Sequence, residues 1–247
     1  NLGNALVALG RLDDAAGHYR RGTALAPDAV EPLNNLGLLV AGQGAFDEAI
    51  ALFRQALAIE PEFADAHTNL GSALQRTGAV DEALTHFRRV AELLPESAGA
   101  QNDLGMALGA QQSLDEAAVL FRRAIEIDRT FFDAHRNLAT LFQMRGAPLE
   151  AIAQYRTMLR IAPGLPSAHY DLAIMLIEQN ELDDAADHFR QAIEGAPEFA
   201  EAHFNLATVL QTQGNLDDAI RHYREAIRIA PGNPELEGRL QAALAAR

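Results

Sequence analysis

Residues 66–95 read AHTNLGSALQRTGAVDEALTHFRRVAELLP, and this stretch decides the fold. Apolar residues in its first half recur at the spacing of one face of a helix, which we predict over residues 65–77. That face consists of Ala66, Leu70, Ala73 and Leu74. Gly78 ends the helix, and Asp81 and Glu82 predict an N-cap and a negatively charged first turn for a second helix.

The second helix has its own apolar face and stops before Pro95. That face consists of Ala83, Leu84, Phe87, Val90 and Ala91. Each helix of about 13 residues spans roughly 20 Å. One such hairpin cannot bury both of its faces alone, so the stretch predicts a stack of hairpins with a continuous core.

The same pattern returns every 34 residues through seven units, without an insertion or a deletion. A Leu followed by Gly or Ala stands at Leu2, Leu36, Leu70, Leu104, Leu138, Leu172 and Leu206. An aromatic residue stands at Tyr19, Phe53, Phe87, Phe121, Tyr155, Phe189 and Tyr223. A Pro closes six of the seven units, at Pro27, Pro61, Pro95, Pro163, Pro197 and Pro231.

These columns resemble the tetratricopeptide repeat pattern of Leu-Gly, Ala, an aromatic residue and Pro, although the chain has no Trp. The resemblance implies an all-α fold, a right-handed superhelix of helix-turn-helix repeats. Seven repeats, the first truncated at its N-terminus, are expected over residues 1–233, and a capping helix over residues 234–247, with Leu240 and Leu244 on its apolar face. We expect the stack to continue through the junction where Asp128-Arg129 replaces Pro.

Composition and charge narrow the possible functions. The chain has no Cys, which excludes disulfides, thiol catalysis and cysteine-bound zinc. Its net charge of −14 disfavours nucleic acid as a partner, because nucleic acid requires a basic surface. The charge favours neutral or basic peptides as partners. It also serves solubility. No apolar run approaches membrane-spanning length, so we expect no membrane insertion. All basic residues are Arg, which indicates a GC-rich bacterial source.

The sequence gives no support for catalysis or for a cofactor. It contains no phosphate-binding Gly loop and no nucleophile-elbow motif, and its acidic pairs recur at helix starts. We predict no catalytic residue, no cofactor and no metal site. The His residues fall in two columns, which we interpret as packing and surface positions. The columns are His67, His135, His169 and His203, and His18, His86, His188 and His222.

A column of short polar residues precedes each Leu, and we call it the ladder. It consists of Asn1, Asn35, Asn69, Asp103, Asn137, Asp171 and Asn205. Asn and Asp are poor helix formers, whereas a carboxamide can pair with a peptide N–H and C=O together. We predict that the ladder binds an extended polypeptide. The alternative, that each side chain ties neighbouring repeats together, stays open and is compatible with binding.

The repeats are similar to those of O-linked N-acetylglucosamine transferases and their bacterial relatives. The similarity consists of an Asn before Leu-Gly or Leu-Ala, the pattern Gly-x-apolar-Asp/Glu-Glu-Ala, and an aromatic-Arg pair. In that family an asparagine ladder inside the superhelix holds substrate polypeptides. The resemblance carries this role to Asn35, Asn69, Asn137 and Asn205. At Asp103 and Asp171 an acidic group favours a donor such as a backbone N–H or a basic side chain.

Two further surfaces are predicted beside the ladder. An acidic rim, four residues before it, would repel the C-terminal carboxylate that chaperone-binding repeats hold. The rim consists of Glu31, Asp65, Asp133 and Glu201. The helix of residues 167–179 is apolar nearly all round, which predicts a hydrophobic anchor site or, alternatively, local burial between repeats. This apolar patch consists of Tyr170, Ile174, Ile177 and Phe204.

We therefore predict a protein–protein interaction scaffold that binds an extended polypeptide through the ladder and the apolar patch. One alternative is the substrate-recognition arm of a larger O-GlcNAc-transferase-like glycosyltransferase whose catalytic domain is absent here. Another is a self-assembling module that uses Leu2, Leu6 and Leu9 at an open N-terminal end. The chain starts inside a helix without Met, so targeting signals lie outside it, and the cytoplasm is the expected compartment.

Overall fold

The computed structural model describes residues 2–247, and within this range the chain forms fifteen α-helices and no strand. The all-α prediction is confirmed. The helices are α1 (Leu2–Ala8), α2 (Leu12–Leu25), α3 (Val30–Gly42), α4 (Phe46–Ile59), α5 (Ala64–Thr77), α6 (Val80–Leu93), α7 (Ala98–Ala110), α8 (Leu114–Ile127), α9 (Phe132–Met144), α10 (Pro148–Ile161), α11 (Pro166–Glu178), α12 (Leu182–Gly195), α13 (Ala200–Thr212), α14 (Leu216–Ile229) and α15 (Pro234–Ala246). None of these helices has the length and apolar character needed to cross a membrane.

Each period of the sequence forms one hairpin, in which an odd-numbered helix is followed by an even-numbered one. Gly78 follows α5 with a φ of +85°, a left-handed conformation that glycine adopts without strain. At the equivalent positions Gln112 and Asn180 adopt φ values of +64° and +61°. The turn is therefore kept even where the glycine is missing.

The N-cap prediction for the second helices was wrong at Asp81. In α6 the N-cap is Ala79, no side chain caps the helix, and Asp81 and Glu82 lie inside its first turn. The backbone closes the turn instead, since the Ala79 N–H donates to the carbonyl oxygen of Leu74 at 2.9 Å. The acidic residues still interact favourably with the helix N-terminus from within the first turn.

The small residue after each Leu allows the two helices of a hairpin to approach closely. A Cβ placed on Gly37 would lie 2.5 Å from the Phe53 ring, and one placed on Gly105 would lie 2.7 Å from Phe121. In the last three repeats Ala takes this position, and Ala139 is fully buried there. The aromatic column therefore fills the space beside the first helix.

The chain divides into two compact units, Asn1–Arg129 and Thr130–Arg247. The division falls at the junction where Asp128-Arg129 replaces Pro. Helices α1 to α8 belong to the first unit and α9 to α15 to the second. In the second unit one apolar cluster runs from Ala139 to Ala243, which agrees with a core shared between neighbouring hairpins.

Helix α15 packs against α14 at the end of the second unit. The Asn233 side chain caps it, accepting a hydrogen bond from the Glu235 N–H at 3.0 Å. Leu236 is buried and Leu240 is half-buried, whereas Leu244 is 37% exposed. Leu244 therefore lies at the exposed edge of a face that also contains Leu236, Leu240 and the buried Ala243.

Candidate functional site

The ladder residues that the structure describes lie half-buried on first helices. The described members are Asn35, Asn69, Asp103, Asn137, Asp171 and Asn205. Asn1 lies outside the described residues. Each of these six residues immediately precedes a core Leu, so the helix directs it to the edge of the buried stripe. We call the surface formed by this column the ladder face.

Three ladder carboxamides bond to the preceding repeat. Asn69 Nδ2 donates to Asn34 Oδ1 at 2.9 Å, Asn205 Nδ2 donates to Tyr170 Oη at 3.0 Å, and Asn35 Nδ2 donates to Asn4 Oδ1 at 3.4 Å. The structure therefore shows, for these three residues, the inter-repeat contact that the sequence left as an alternative. Each bond uses one N–H, and a carboxamide has a second N–H and an oxygen that accepts.

The two acidic ladder residues differ in their surroundings. Asp171 accepts from Arg136 Nε at 3.1 Å. Burial raises the pKa of the Asp171 carboxyl, and Arg136 opposes this rise. Burial also raises the pKa of Asp103, and a hydrogen bond from Asn102 opposes it. Asp171 therefore already has a cationic partner within the protein, whereas the described ion pairs include none for Asp103.

The hydroxyl groups of the three tyrosines in the aromatic column bond to residues of the first helices. Tyr19 Oη donates to Asn4 Oδ1 at 2.6 Å, Tyr223 Oη and Thr208 Oγ1 lie 3.2 Å apart, and Tyr155 hydrogen-bonds Thr140. Burial, followed by the charge of Asp171, raises the pKa of Tyr155 to about 12, so this hydroxyl stays protonated.

The residue fifteen positions before each aromatic residue is polar or apolar according to whether that aromatic residue carries a hydroxyl group. Where the aromatic is Tyr, it is polar: Asn4, Thr140 and Thr208. Where the aromatic is Phe, it is Leu38, Met106 or Ile174, with Ser72 as the exception. The ladder face is therefore polar in some repeats and apolar in others. The covariation was present in the sequence as a signal, and the sequence reasoning missed it.

The predicted apolar patch lies in the second unit, where all four residues are half-buried against its core. The Tyr170 ring lies 4.8 Å from the Phe199 ring and 5.7 Å from Phe189, and the Phe204 ring lies 5.9 Å from Tyr223. Ile174 and Ile177 lie with Tyr170 on α11, whereas Phe204 lies on α13. The patch is thus both packed by its neighbours and partly accessible.

The acidic rim is fully on the surface. Glu31, Asp65, Asp133 and Glu201 are exposed and stand in the first turns of α3, α5, α9 and α13. Asp133 lies 3.6 Å from Arg136 Nη1. Carboxylates in a first turn also favour the helix itself, so the rim has a structural reason beside any role in binding.

The two His columns meet across three hairpins, α5–α6, α11–α12 and α13–α14, a contact that the sequence reasoning missed. The Nδ1 atoms of His67 and His86 lie 2.8 Å apart, those of His169 and His188 2.9 Å, and those of His203 and His222 3.0 Å. The constant spacing of 19 residues was the available signal. In each pair Nε2 of the first His lies within 3.1 Å of a Pro carbonyl oxygen.

The proton positions in these pairs follow from the chemistry of the carbonyl. A carbonyl oxygen only accepts, so Nε2 of the first His carries the proton and its Nδ1 accepts from Nδ1–H of the second His. Among the described residues no group of three His, Cys, Asp or Glu side chains is arranged to hold a metal ion. The pairs act as hydrogen-bonded links between the two helices of a hairpin.

Family models decide the classification. A model described as tetratricopeptide repeat matches residues 1–62, 102–166 and 170–234, and a second tetratricopeptide repeat model matches residues 40–104. The chain belongs to the tetratricopeptide repeat (TPR) family. The fold agrees with this, because each TPR unit is one helix-turn-helix hairpin of 34 residues. No curated protein gives a significant match to this TPR chain.

Solved structures share the TPR fold at low sequence identity. A tetratricopeptide repeat protein from Parabacteroides merdae is 18% identical, with a TM-score of 0.71 over 98% of this chain and 96% of that chain. The APC/C hetero-tetramer Cut9-Hcn1 is 16% identical, with a TM-score of 0.68 over 98% of this chain but only 48% of that chain. YrrB, described as a TPR protein with an unusual peptide-binding site, is 22% identical, with a TM-score of 0.53 over 78% and 96%. The TPR chain thus spans about half of the length of the Cut9-Hcn1 chain it matches.

Proposed function

We propose that this TPR protein is a protein-binding scaffold that holds an extended, neutral or basic polypeptide on its ladder face. The TPR fold itself indicates a scaffold for protein–protein interaction. The observation that carries the more specific proposal is the orientation of the ladder carboxamides. Each of the three described bonds anchors one N–H to the preceding repeat and leaves an acceptor and a donor for a peptide group.

The charge of the surface supports the proposed partner class. The chain carries a net charge of −14, and the exposed acidic rim lies on the same helices as the ladder. A neutral or basic segment would approach this surface without repulsion, whereas an acidic one would be disfavoured. YrrB, which shares the fold, is described as having a peptide-binding site, and this is consistent with the proposal.

A pair of matched variants tests the role of the ladder. Asn69→Ala with Asn205→Ala removes two carboxamides from the ladder face. Asn34→Ala with Tyr170→Phe removes only the groups that accept their inter-repeat bonds. Both double variants lose the same two hydrogen bonds between repeats, but only the first loses groups that would meet a guest.

The readout is recovery of partner proteins by pull-down from a lysate of the source cell, followed by mass spectrometry. Loss of two neutral hydrogen bonds is expected to weaken binding roughly 10- to 30-fold in the ladder variant. The control variant keeps both ladder carboxamides but frees their orientation, so it is expected to bind more weakly than wild type and more tightly than the ladder variant, with thermal unfolding recorded for both. Equal recovery by the ladder variant and wild type, or equal loss in both variants, would show that the ladder is structural only.

Self-association is a second candidate, because the first hairpin exposes large apolar side chains. Leu9 is 73% exposed, Leu25 77% and Leu2 59%. Leu6 is only 5% exposed and packs in the core, so the prediction of an open end was wrong for Leu6. Sedimentation velocity over a range of concentrations tests this candidate, and a monomer throughout would eliminate it.

A further inference from the structure

The first unit contains a cavity of about 430 Å³ between α1, α2 and α3. Its apolar lining comes from Val7, Leu12, Leu38 and Leu39, together with the Tyr19 ring. Val7, Leu12 and Leu38 are 40%, 39% and 47% exposed, so three large apolar side chains surround one open depression. Exposed apolar surface that is grouped in this way marks interaction sites.

The cavity lies where the next repeat places two larger side chains. In the next repeat Arg76 lies with its guanidinium carbon 5.4 Å from the centroid of the Phe46 ring. One period earlier, Gly42 stands in place of Arg76 and Leu12 in place of Phe46. A Cβ added at Gly42 would meet no atom within 4 Å. The space that a long side chain occupies in one repeat is therefore open in the other.

The rim of the cavity carries carboxamides and no charged group. Asn4, Asn35 and Gln43 line it. Asn35 Nδ2 donates to Asn4 Oδ1 at 3.4 Å, and Tyr19 Oη donates to the same oxygen at 2.6 Å. This arrangement uses the Asn4 oxygen and leaves the Asn4 amide as a donor and the Asn35 oxygen as an acceptor.

We propose that this cavity binds one large apolar side chain, such as Leu, of the extended polypeptide whose adjoining peptide groups pair with Asn4 and Asn35. The absence of charge from the lining of a strongly acidic protein selects an uncharged side chain. The spare donor and acceptor match the C=O and N–H of a peptide rather than a plain hydrocarbon. The inference rests on the proposed function, since it specifies which residue of the bound segment the first unit would select.

The experiment uses methyl NMR on the full chain, with N-acetyl-leucine amide as the probe. This molecule carries a Leu side chain with a peptide group on each side. Isoamyl alcohol supplies a comparable side chain alone, and N-acetylglycine amide supplies the peptide groups alone. The methyl signals of Val7, Leu12 and Leu38 report binding. We expect saturable shifts with N-acetyl-leucine amide and about tenfold weaker binding of the other two probes.

Matched variants of one glycine supply the control. Gly42→Arg is expected to abolish the shifts, because it introduces the side chain that occupies this space in the next repeat. Gly42→Ala leaves the cavity open and is expected to bind as wild type does. Gly42 is the last residue of α3 and does not adopt a positive φ, so either substitution is compatible with its backbone and both variants are expected to fold.

Three results would overturn the inference. They are the lack of saturable shifts with N-acetyl-leucine amide, unchanged binding in Gly42→Arg, and equal binding of isoamyl alcohol, which would indicate a site for small apolar molecules instead. Failure of the proposed function would look different. In that case the Asn69→Ala and Asn205→Ala chain would keep its partners, whatever the methyl signals of the first unit show.

Discussion

The paired histidines predict how the stability of this TPR protein depends on pH. His203 donates from Nε2 to the Pro197 carbonyl oxygen and accepts at Nδ1 from His222. His222→Gln removes the titrating imidazole of the pair and keeps an amide that can donate to His203. The chain itself places a Gln at the equivalent position, where Gln154 Oε1 accepts a hydrogen bond from His135 Nδ1 at 3.0 Å.

The magnitude follows from the shift of the titrating group. Burial, followed by the charge of His203 and then of Arg221, lowers the pKa of His222 to about 4, and Asp218 opposes this. An unfolded His titrates near 6.5, so the unfolded chain binds more protons between these values. The contribution to stability is therefore complete above about pH 6.5 and is lost as the pH falls toward about 4. At about pH 5 the loss of stability relative to neutral pH is at most about 2 kcal/mol, and solvent screening of the half-exposed imidazole reduces this loss to about 1 kcal/mol.

Urea unfolding at about pH 7.5 and about pH 5 measures the effect. Wild type is expected to lose about 1 kcal/mol more than His222→Gln over this interval, because carboxylate titration is common to both chains. His18→Gln is the control, since His18 stands in the same column but is exposed. Equal losses in wild type and His222→Gln, or an NMR titration of His222 near 6.5 in the folded chain, would refute the reasoning.

Three other predictions concern packing, strain and the apolar patch. Gly37→Ala is expected to lower the free energy of unfolding by about 1 kcal/mol, because its Cβ would lie 2.5 Å from the Phe53 ring. Gly71→Ala is expected to be neutral or stabilising, because its Cβ would lie 3.0 Å from the nearest ring atom and Ala favours the helix. Thermal unfolding compares the two variants, and the reverse order of stability would contradict the packing argument. Gln112→Gly is expected to raise the free energy of unfolding by about 0.5–1 kcal/mol by relieving a φ of +64°, and an unchanged urea midpoint would show that no strain is stored there. Ile174→Asp is expected to reduce partner recovery with only a small drop in the midpoint of thermal unfolding, while global unfolding would support burial of the patch instead.

The helices were predictable because their ends are marked within each repeat. Gly78 and Pro95 end the two helices of their repeat, and the prediction of residues 65–77 for the first differs from Ala64–Thr77 by one residue. The N-cap at Asp81 was not predictable in the same way. Two adjacent acidic residues fit either the cap or the first turn, and only the backbone of the preceding turn decides between them.

The contacts between columns depended on geometry that no single repeat contains. The partner of Asn69 lies 35 residues upstream, and that of Asn205 likewise, so the bonds require the register between neighbouring first helices. The His67–His86 contact requires the crossing of two helices within a hairpin. The likeness to O-linked N-acetylglucosamine transferases stays a prediction, because the family models extend only to the TPR level.

The inter-repeat bonds strengthen the case for peptide binding rather than competing with it. A free Asn side chain would lose rotamer freedom when a guest bound, which would cost about 0.5–1.5 kcal/mol for each immobilised side chain. Asn69 and Asn205 are already held by Asn34 and Tyr170, so a guest would meet carboxamides whose orientation is set. Asp171 shows the opposite case, since Arg136 occupies its carboxylate. We therefore expect the Asn positions to contribute most of the affinity, and Asp171 to contribute little unless Arg136 is displaced.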